Sequence, residues 1–283
     1  MESNNSNPLA KYFRAATTST RIPSMGNFQA PGNIGFTATG EVAVMAMRAA
    51  DEMIMKSPDA LMSGLAVETL LRSCVPEIKD VHQLPTPDVD TLLLAIRCAT
   101  YGSIMKVETE CPKCQAINEY DFDITFMLDT VTPLEKEYSI RITDDIVIYV
   151  KPFTFRSTTQ ISTAIFQETR KMQLIDQTPD VSDEERQRQM NASFSRLHSI
   201  NIQMIAESVE KIVVPEGVIT NRDHISEYIF NIDKNISSKI EEKIKQINNS
   251  GLNKNHTVTC ASCTHEWETI VEFDPASFFE QNS

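Results

Sequence analysis

The chain has 283 residues, 41% hydrophobic and 23% charged, enough to bury a substantial core and typical of a soluble globular chain rather than a disordered one. Its 26 basic residues against 39 acidic ones leave a formal charge of −13 at pH 7, which argues against nucleic acid as the main ligand, because phosphate affinity rests on clustered Lys and Arg. No apolar run approaches the ~20 residues that span a bilayer, so no membrane insertion is expected.

Residues 1–40 are rich in Asn, Ser, Thr, Pro and Gly, with isolated apolar side chains (Leu9, Tyr12, Phe13, Ile22, Phe28, Phe36) and no periodic pattern. Such a segment reads as an extended N-terminal arm, either a disordered tail or a strap that docks on a neighbouring subunit. The opening Met1-Glu-Ser-Asn-Asn-Ser6 lacks the apolar stretch of a signal peptide, which points to synthesis in a reducing cytoplasm.

Residues 41–130 read as an α+β core. Glu41 to Met47 is a strand, followed by a Met-rich helix from about Arg48 to Lys56. Ser57-Pro58-Asp59 is a helix start, and Leu61, Leu65, Leu70 and Leu71 continue the helical region to Cys74, where Pro76 ends it. Thr86-Pro87-Asp88 repeats the start signal, and Val89, Leu92, Leu93 and Ile96 make a buried helical face that ends before Gly102.

The chain then enters Cys111-Pro-Lys-Cys114, the first of two C-x-x-C knuckles; the second is Cys260-Ala-Ser-Cys263. Each is flanked by alternating stretches that read as strand, knuckle, strand, a weak internal duplication. Together Cys111, Cys114, Cys260 and Cys263 supply the four thiolates of a closed tetrahedral zinc site with no open position for water. The 145 residues from 115 to 259 separate the halves. Closing a loop of that length costs about 4–5 kcal/mol, against roughly 10–16 kcal/mol for structural zinc in finger peptides. Disulfide or redox pairs are the rival reading. Cys74 and Cys98 lie in helical contexts and read as buried thiols, and His256 and His265 flank the second knuckle as minor candidate ligands.

Residues 131–250 read as an insertion between the two halves. Tyr138–Ile142 and Ile146–Val150 form a hairpin. A helix from Ser157 to about Ile175 and a second from about 183 to Val213 make an α-hairpin, with Ser182 and Glu185 at capping-box spacing. Pro215-Glu-Gly217 breaks the pattern, and two shorter helices follow at about 222–232 and 236–248. Residues 251–283 carry the second knuckle and a C-terminal strand from Glu266 to Asp274. The fold class is therefore α+β, a mixed helical domain with a small β region and a zinc ribbon closed by two distant C-x-x-C knuckles.

Several local motifs, Thr39-Gly40-Glu41, Ala50-Asp51-Glu52, Lys56-Ser-Pro-Asp-Ala-Leu61, Leu71-Arg-Ser-Cys-Val-Pro76, Leu94-Ala-Ile-Arg97 and Tyr101-Gly102 with the first knuckle, together resemble the baseplate hub subunit family of T-even-like contractile-tailed bacteriophages. The similarity is strongest over 39–123. The resemblance implies a phage morphogenesis protein of the central hub, with other baseplate and tail proteins as partners, present in the host cytoplasm during assembly and in the virion tail baseplate. It leaves open a transient assembly chaperone absent from the virion. A zinc-ribbon regulator that binds nucleic acid is the alternative of another class, and the acidity of both knuckles argues against it. No phosphate loop, nucleophile elbow or H-E-x-x-H motif is present, so no catalytic residue is expected.

Overall fold

A computed structural model of the chain describes Leu9, Arg14 and residues 16–176 and 182–270. Strand β1 (Ala16–Thr20) pairs antiparallel with β2 (Val42–Met45), and the connection between them carries Ile22 and Ile34 into the interior. The described part of the expected arm is thus part of the core of its own chain. Scattered apolar residues need no periodicity of their own when an extended segment lies across a helix that is already apolar.

Helices α1 (Ala49–Met55), α2 (Pro58–Met62) and α3 (Leu65–Cys74) follow. Ser57 caps α2 by accepting the Ala60 N–H, as its sequence signal requires. The helical region is not continuous to Cys74, however. Gly64 adopts φ +75°, and a Cβ there would lie 2.6 Å from the Thr159 methyl, so the chain turns closely against a later helix before α3 begins. The methionines of the Met-rich helix are likewise divided: Met55 is buried, whereas Met53 is 75% exposed.

Helix α4 (Thr86–Tyr101) is the centre of the first core, with Val89, Leu92, Leu93 and Ile96 all buried. Its start differs from the sequence signal, since Thr86 is the first helical residue and its hydroxyl donates to the Phe153 carbonyl. Strands β3 (Ile104–Glu110) and β4 (Ile117–Asp123) form a ribbon that leaves the C-terminal end of α4, and the short helix α5 (Ile124–Asp129) returns to the core.

A second buried cluster gathers apolar residues between Leu134 and Ile247, while Phe155 within that span joins the first. Strands β5 (Tyr138–Arg141) and β6 (Val147–Val150) form the expected hairpin, and helices α6 (Phe155–Asp176) and α7 (Asp183–Ser208) pack together. The turn expected between them falls mostly on residues 177–181, outside the described ones. Helix α7 stops at Ser208, five residues short of the expected end. The β-branched run Val209-Glu-Lys-Ile-Val-Val214 becomes β7, which pairs with β6 and, across Pro215-Glu216, with β8 (Gly217–Ile219), giving a four-stranded antiparallel sheet in the order β5-β6-β7-β8. Val209 and Ile212 are buried in that sheet rather than on a helical stripe. Helices α8 (Arg222–Asn231) and α9 (Lys234–Asn248) cover it, with Ile240, Ile244 and Ile247 buried.

The chain then returns to the first core. Gly251 (φ +103°) passes so close to Pro23 that a Cβ would lie 2.5 Å from its ring, Leu252 buries in the first cluster, and Lys254 Nζ meets Asp90 of α4 at 2.6 Å. From there β9 (Asn255–Thr259) and β10 (Glu266–Ile270) form a second ribbon. The continuation of the C-terminal strand to Asp274 lies outside the described residues. Both ribbons therefore spring from α4 or its immediate neighbours.

Asp88, fully buried at the start of α4, accepts hydrogen bonds from the N–H and hydroxyl of Ser24 at 2.8 and 2.5 Å and so fastens the N-terminal segment to the helix. Burial pushes its carboxyl up to about 7, against the opposing pull of the two Ser24 bonds. Between the ordinary carboxylate range and pH 7 the folded chain therefore holds a proton that the unfolded chain has released, and stability falls as pH rises through that window. Asp88→Asn should flatten this slope in urea unfolding measured from pH 4.5 to 8, while the wild-type slope persists.

Candidate metal centre

The two ribbons are built alike. In each, a six-residue loop joins paired strands, 111–116 between Glu110 and Ile117 and 260–265 between Thr259 and Glu266, with cysteines at its first and fourth positions. The loops close with the same backbone bonds. Cys111 N–H donates to Ala116 and Gln115 N–H to Cys111; Cys260 N–H donates to His265 and Thr264 N–H to Cys260, all at 2.9–3.0 Å. The residue after the second cysteine is left-handed in both copies, Gln115 at φ 60° and Thr264 at φ 56°. Neither is glycine, so each loop holds a conformation that costs about 1–2 kcal/mol. Strain repeated at the same position in two loops marks a geometry imposed by what the loops surround.

What they surround is four sulfurs. The Sγ atoms of Cys111, Cys114, Cys260 and Cys263 all lie within 4.8 Å of one another, with Cys111 to Cys263 at 3.7 Å and Cys114 to Cys260 at 3.6 Å. Tetrahedral zinc with Zn–S of about 2.3 Å requires sulfurs about 3.8 Å apart. The close contacts run between knuckles, and no pair is bonded. Cys111 and Cys260 are buried and Cys114 is exposed, so the centre sits at the rim of the two ribbons. The four cysteines singled out by their spacing lie together here; His256 instead packs on the Phe122 ring and His265 stacks on Trp267, and neither joins the cluster. Cys74 is buried and Cys98 partly buried, and burial raises both thiols, as expected of inert core residues.

The sulfurs are electrostatically unequal. Burial opposes ionisation of Cys260, but the N–H groups of Cys263 and Ser262, with bonds from Cys114 and Cys263, outweigh it and bring this thiol down to about 6. At Cys114 the Ala116 N–H favours the thiolate, yet Cys263, desolvation, and then Cys260 and Cys111 prevail and push it up to about 12. The backbone N–H groups of the second loop thus favour the thiolate at Cys260, the form in which a cysteine binds a soft cation.

Sequence reasoning missed the residue that joins the halves. Asn118, on β4 and buried, donates to Ala116 of its own loop at 2.8 Å, accepts the Ala261 N–H of the other loop at 2.9 Å, and points its amide at Cys260 Sγ, 3.7 Å away. Tyr120 adds a hydrogen bond to the Thr259 carbonyl at 3.0 Å and an edge contact with Trp267. The only advance signal was a polar residue in an otherwise alternating strand.

A family model described as T4 bacteriophage base plate protein matches residues 38–280, a span that contains both knuckles and everything between them. The chain belongs to that family. Against curated proteins and solved structures it has no match. This base plate protein accordingly has a structural or assembly role in the phage baseplate, working among other tail proteins. Its four clustered cysteines are compatible with zinc, and among the described residues no helix is long and apolar enough to cross a membrane.

Asn118→Ala should weaken zinc binding about 10–100-fold, the usual effect of losing a partner that orients metal ligands, without changing the helical circular dichroism. Competition with a chromophoric chelator measures the first and far-ultraviolet spectra the second.

Proposed function

We propose that this chain is a non-enzymatic subunit or assembly factor of the baseplate central hub whose fold is held by one structural zinc. The observation that carries the reading is the convergence of four sulfurs from two segments far apart in sequence to within 4.8 Å of one another. A four-thiolate site has no vacant position for water or substrate, so the metal's work is structural and no catalytic step is assigned to it. Zinc would fasten the ribbon of residues 104–123 to that of residues 255–270 and hold the returning C-terminal segment against α4. The hub location rests on the resemblance of residues 39–123 to hub subunits, and family membership supports a baseplate role.

The ribbons bear many carboxylates, Glu108, Glu110, Glu119, Asp121, Glu266 and Glu268 among them, and a four-thiolate zinc adds two further negative charges. Such a surface repels nucleic-acid phosphate and suits a protein partner with a basic face.

Cys111→Ser and Cys260→Ser should act alike, each abolishing stoichiometric zinc and lowering infectious-particle yield in complementation of a phage lacking the gene. A variant of one knuckle that keeps both zinc and fold while its counterpart loses both contradicts the shared site. Mass spectrometry of purified virions tests the hub reading separately: peptides of this chain in intact baseplates are expected, and their absence assigns it to transient assembly.

A further inference from the structure

The acidic chain contains a reversed patch. A cleft of about 540 Å³ opens between the two cores, where the N-terminal segment near Phe28 approaches the junction of β6 with α6. Lys136, Lys151, Arg156 and Arg222 line it, with His82 on one wall and Glu210 as its carboxylate. An adjoining recess shares Lys151 and Arg222 and adds Glu207. Four cations concentrated in one concavity stand out against a formal chain charge of −13.

Two of these cations have no ion-pair partner among the described residues. Arg222 donates to the Val209 and Glu210 carbonyls, which fix its guanidinium without cancelling its charge, and among the described residues no carboxylate lies within ion-pair distance of it. Lys151 is half-buried, its N–H anchored to the Ser208 carbonyl, and its ammonium has no hydrogen-bonding or ion-pair partner among the described residues. Burial lowers the Lys151 ammonium from its ordinary range, and repulsion from Arg222 lowers it further, against a weaker opposing pull from Glu210 and Glu207. Arg156 pairs with Asp80 only at 3.9 Å, with its side chain 58% exposed. Thr154, just before the 22-residue helix α6, and Arg156 in its first turn also line the cleft, so the amino end of the helix adds a positive dipole to the same space.

A half-buried ammonium repelled by a fixed guanidinium is an unfavourable arrangement in isolation. An anion between them relieves it. We propose that this cleft is an oxyanion-binding site, recognising a phosphate or carboxylate group through Lys151 and Arg222, with Lys136 and Arg156 at its mouth. Because its walls come from both cores, a bound oxyanion would tie the two together, and the site is independent of the thiolate centre.

The test is the unfolding midpoint of the full chain, titrated at constant ionic strength with inorganic phosphate and, separately, with a tetraglutamate peptide. A saturable rise is expected with at least one of them. A rise with phosphate alone assigns a free oxyanion, and a rise with the peptide assigns carboxylates of a protein segment. Lys151→Met should weaken the response at least tenfold while keeping or raising the midpoint without ligand, since it removes a half-buried charge repelled by Arg222. Arg156→Gln, on an exposed side chain, should weaken it as well and gives a reading that does not depend on how Lys151→Met folds. Lys239→Gln, exposed on α9, should leave the response intact. No saturable rise with either ligand, or an equal rise in wild type, Lys151→Met and Arg156→Gln, overturns the proposal.

Discussion

The meeting of two ribbons at four sulfurs is the constraint to which the rest of the chain conforms. The knuckles are separated by the 145 residues from 115 to 259, so whatever lies between must fold with its ends adjacent. The second core does this. It leaves the first through α5, completes its sheet and helices, and returns through Gly251, where the backbone lies against Pro23 too closely for any side chain. Leu252 and the Lys254 to Asp90 ion pair then fix the entry of β9 before the cysteines are reached. Much of the closure cost, about 4–5 kcal/mol for a flexible loop of that length, is therefore met by ordinary packing, and a zinc ion would consolidate a juxtaposition already favoured.

Helix α4 serves both halves of this arrangement. Its first turn holds the N-terminal segment through Asp88 and Ser24, its next residues receive Lys254, and its carboxyl end delivers β3 to the first knuckle. A helix with one purely apolar face would position neither ribbon. The buried polar contacts give the core its register, at the expense of a carboxyl group that burial keeps partly protonated near neutral pH. The charge pattern follows the same division of labour, with carboxylates spread over the ribbons and cations gathered where the two cores face each other.

Much of this was legible in the sequence because the relevant signals are local. C-x-x-C spacing, the Ser57 and Ser182 caps and the Ile236, Ile240, Ile244, Ile247 stripe each specify their own few residues. Misreadings fall where a distant partner decides. Val209 and Ile212 continue the apolar spacing of α7, yet β-branched residues beside an open β6 edge gain more as a strand. Ile22 and Ile34 carry no periodicity and are buried only because the rest of the first core, with Ile78 bridged to Ile34, is there to receive them. Gly64 looks like a tolerated helical glycine until Thr159 crowds it, and Asn118 becomes informative only once the second knuckle lies beside it. The family match, spanning 38–280, joins both knuckles and the helical segment between them into one unit of a phage baseplate protein.

The central claim is that one metal ion fastens two distant parts of a single chain. Native mass spectrometry of the full chain, purified without added zinc, tests it directly. The account predicts a monomer mass carrying one zinc, with the metal lost on acidification. A metal-free folded monomer, or zinc found only in a dimer, would contradict it.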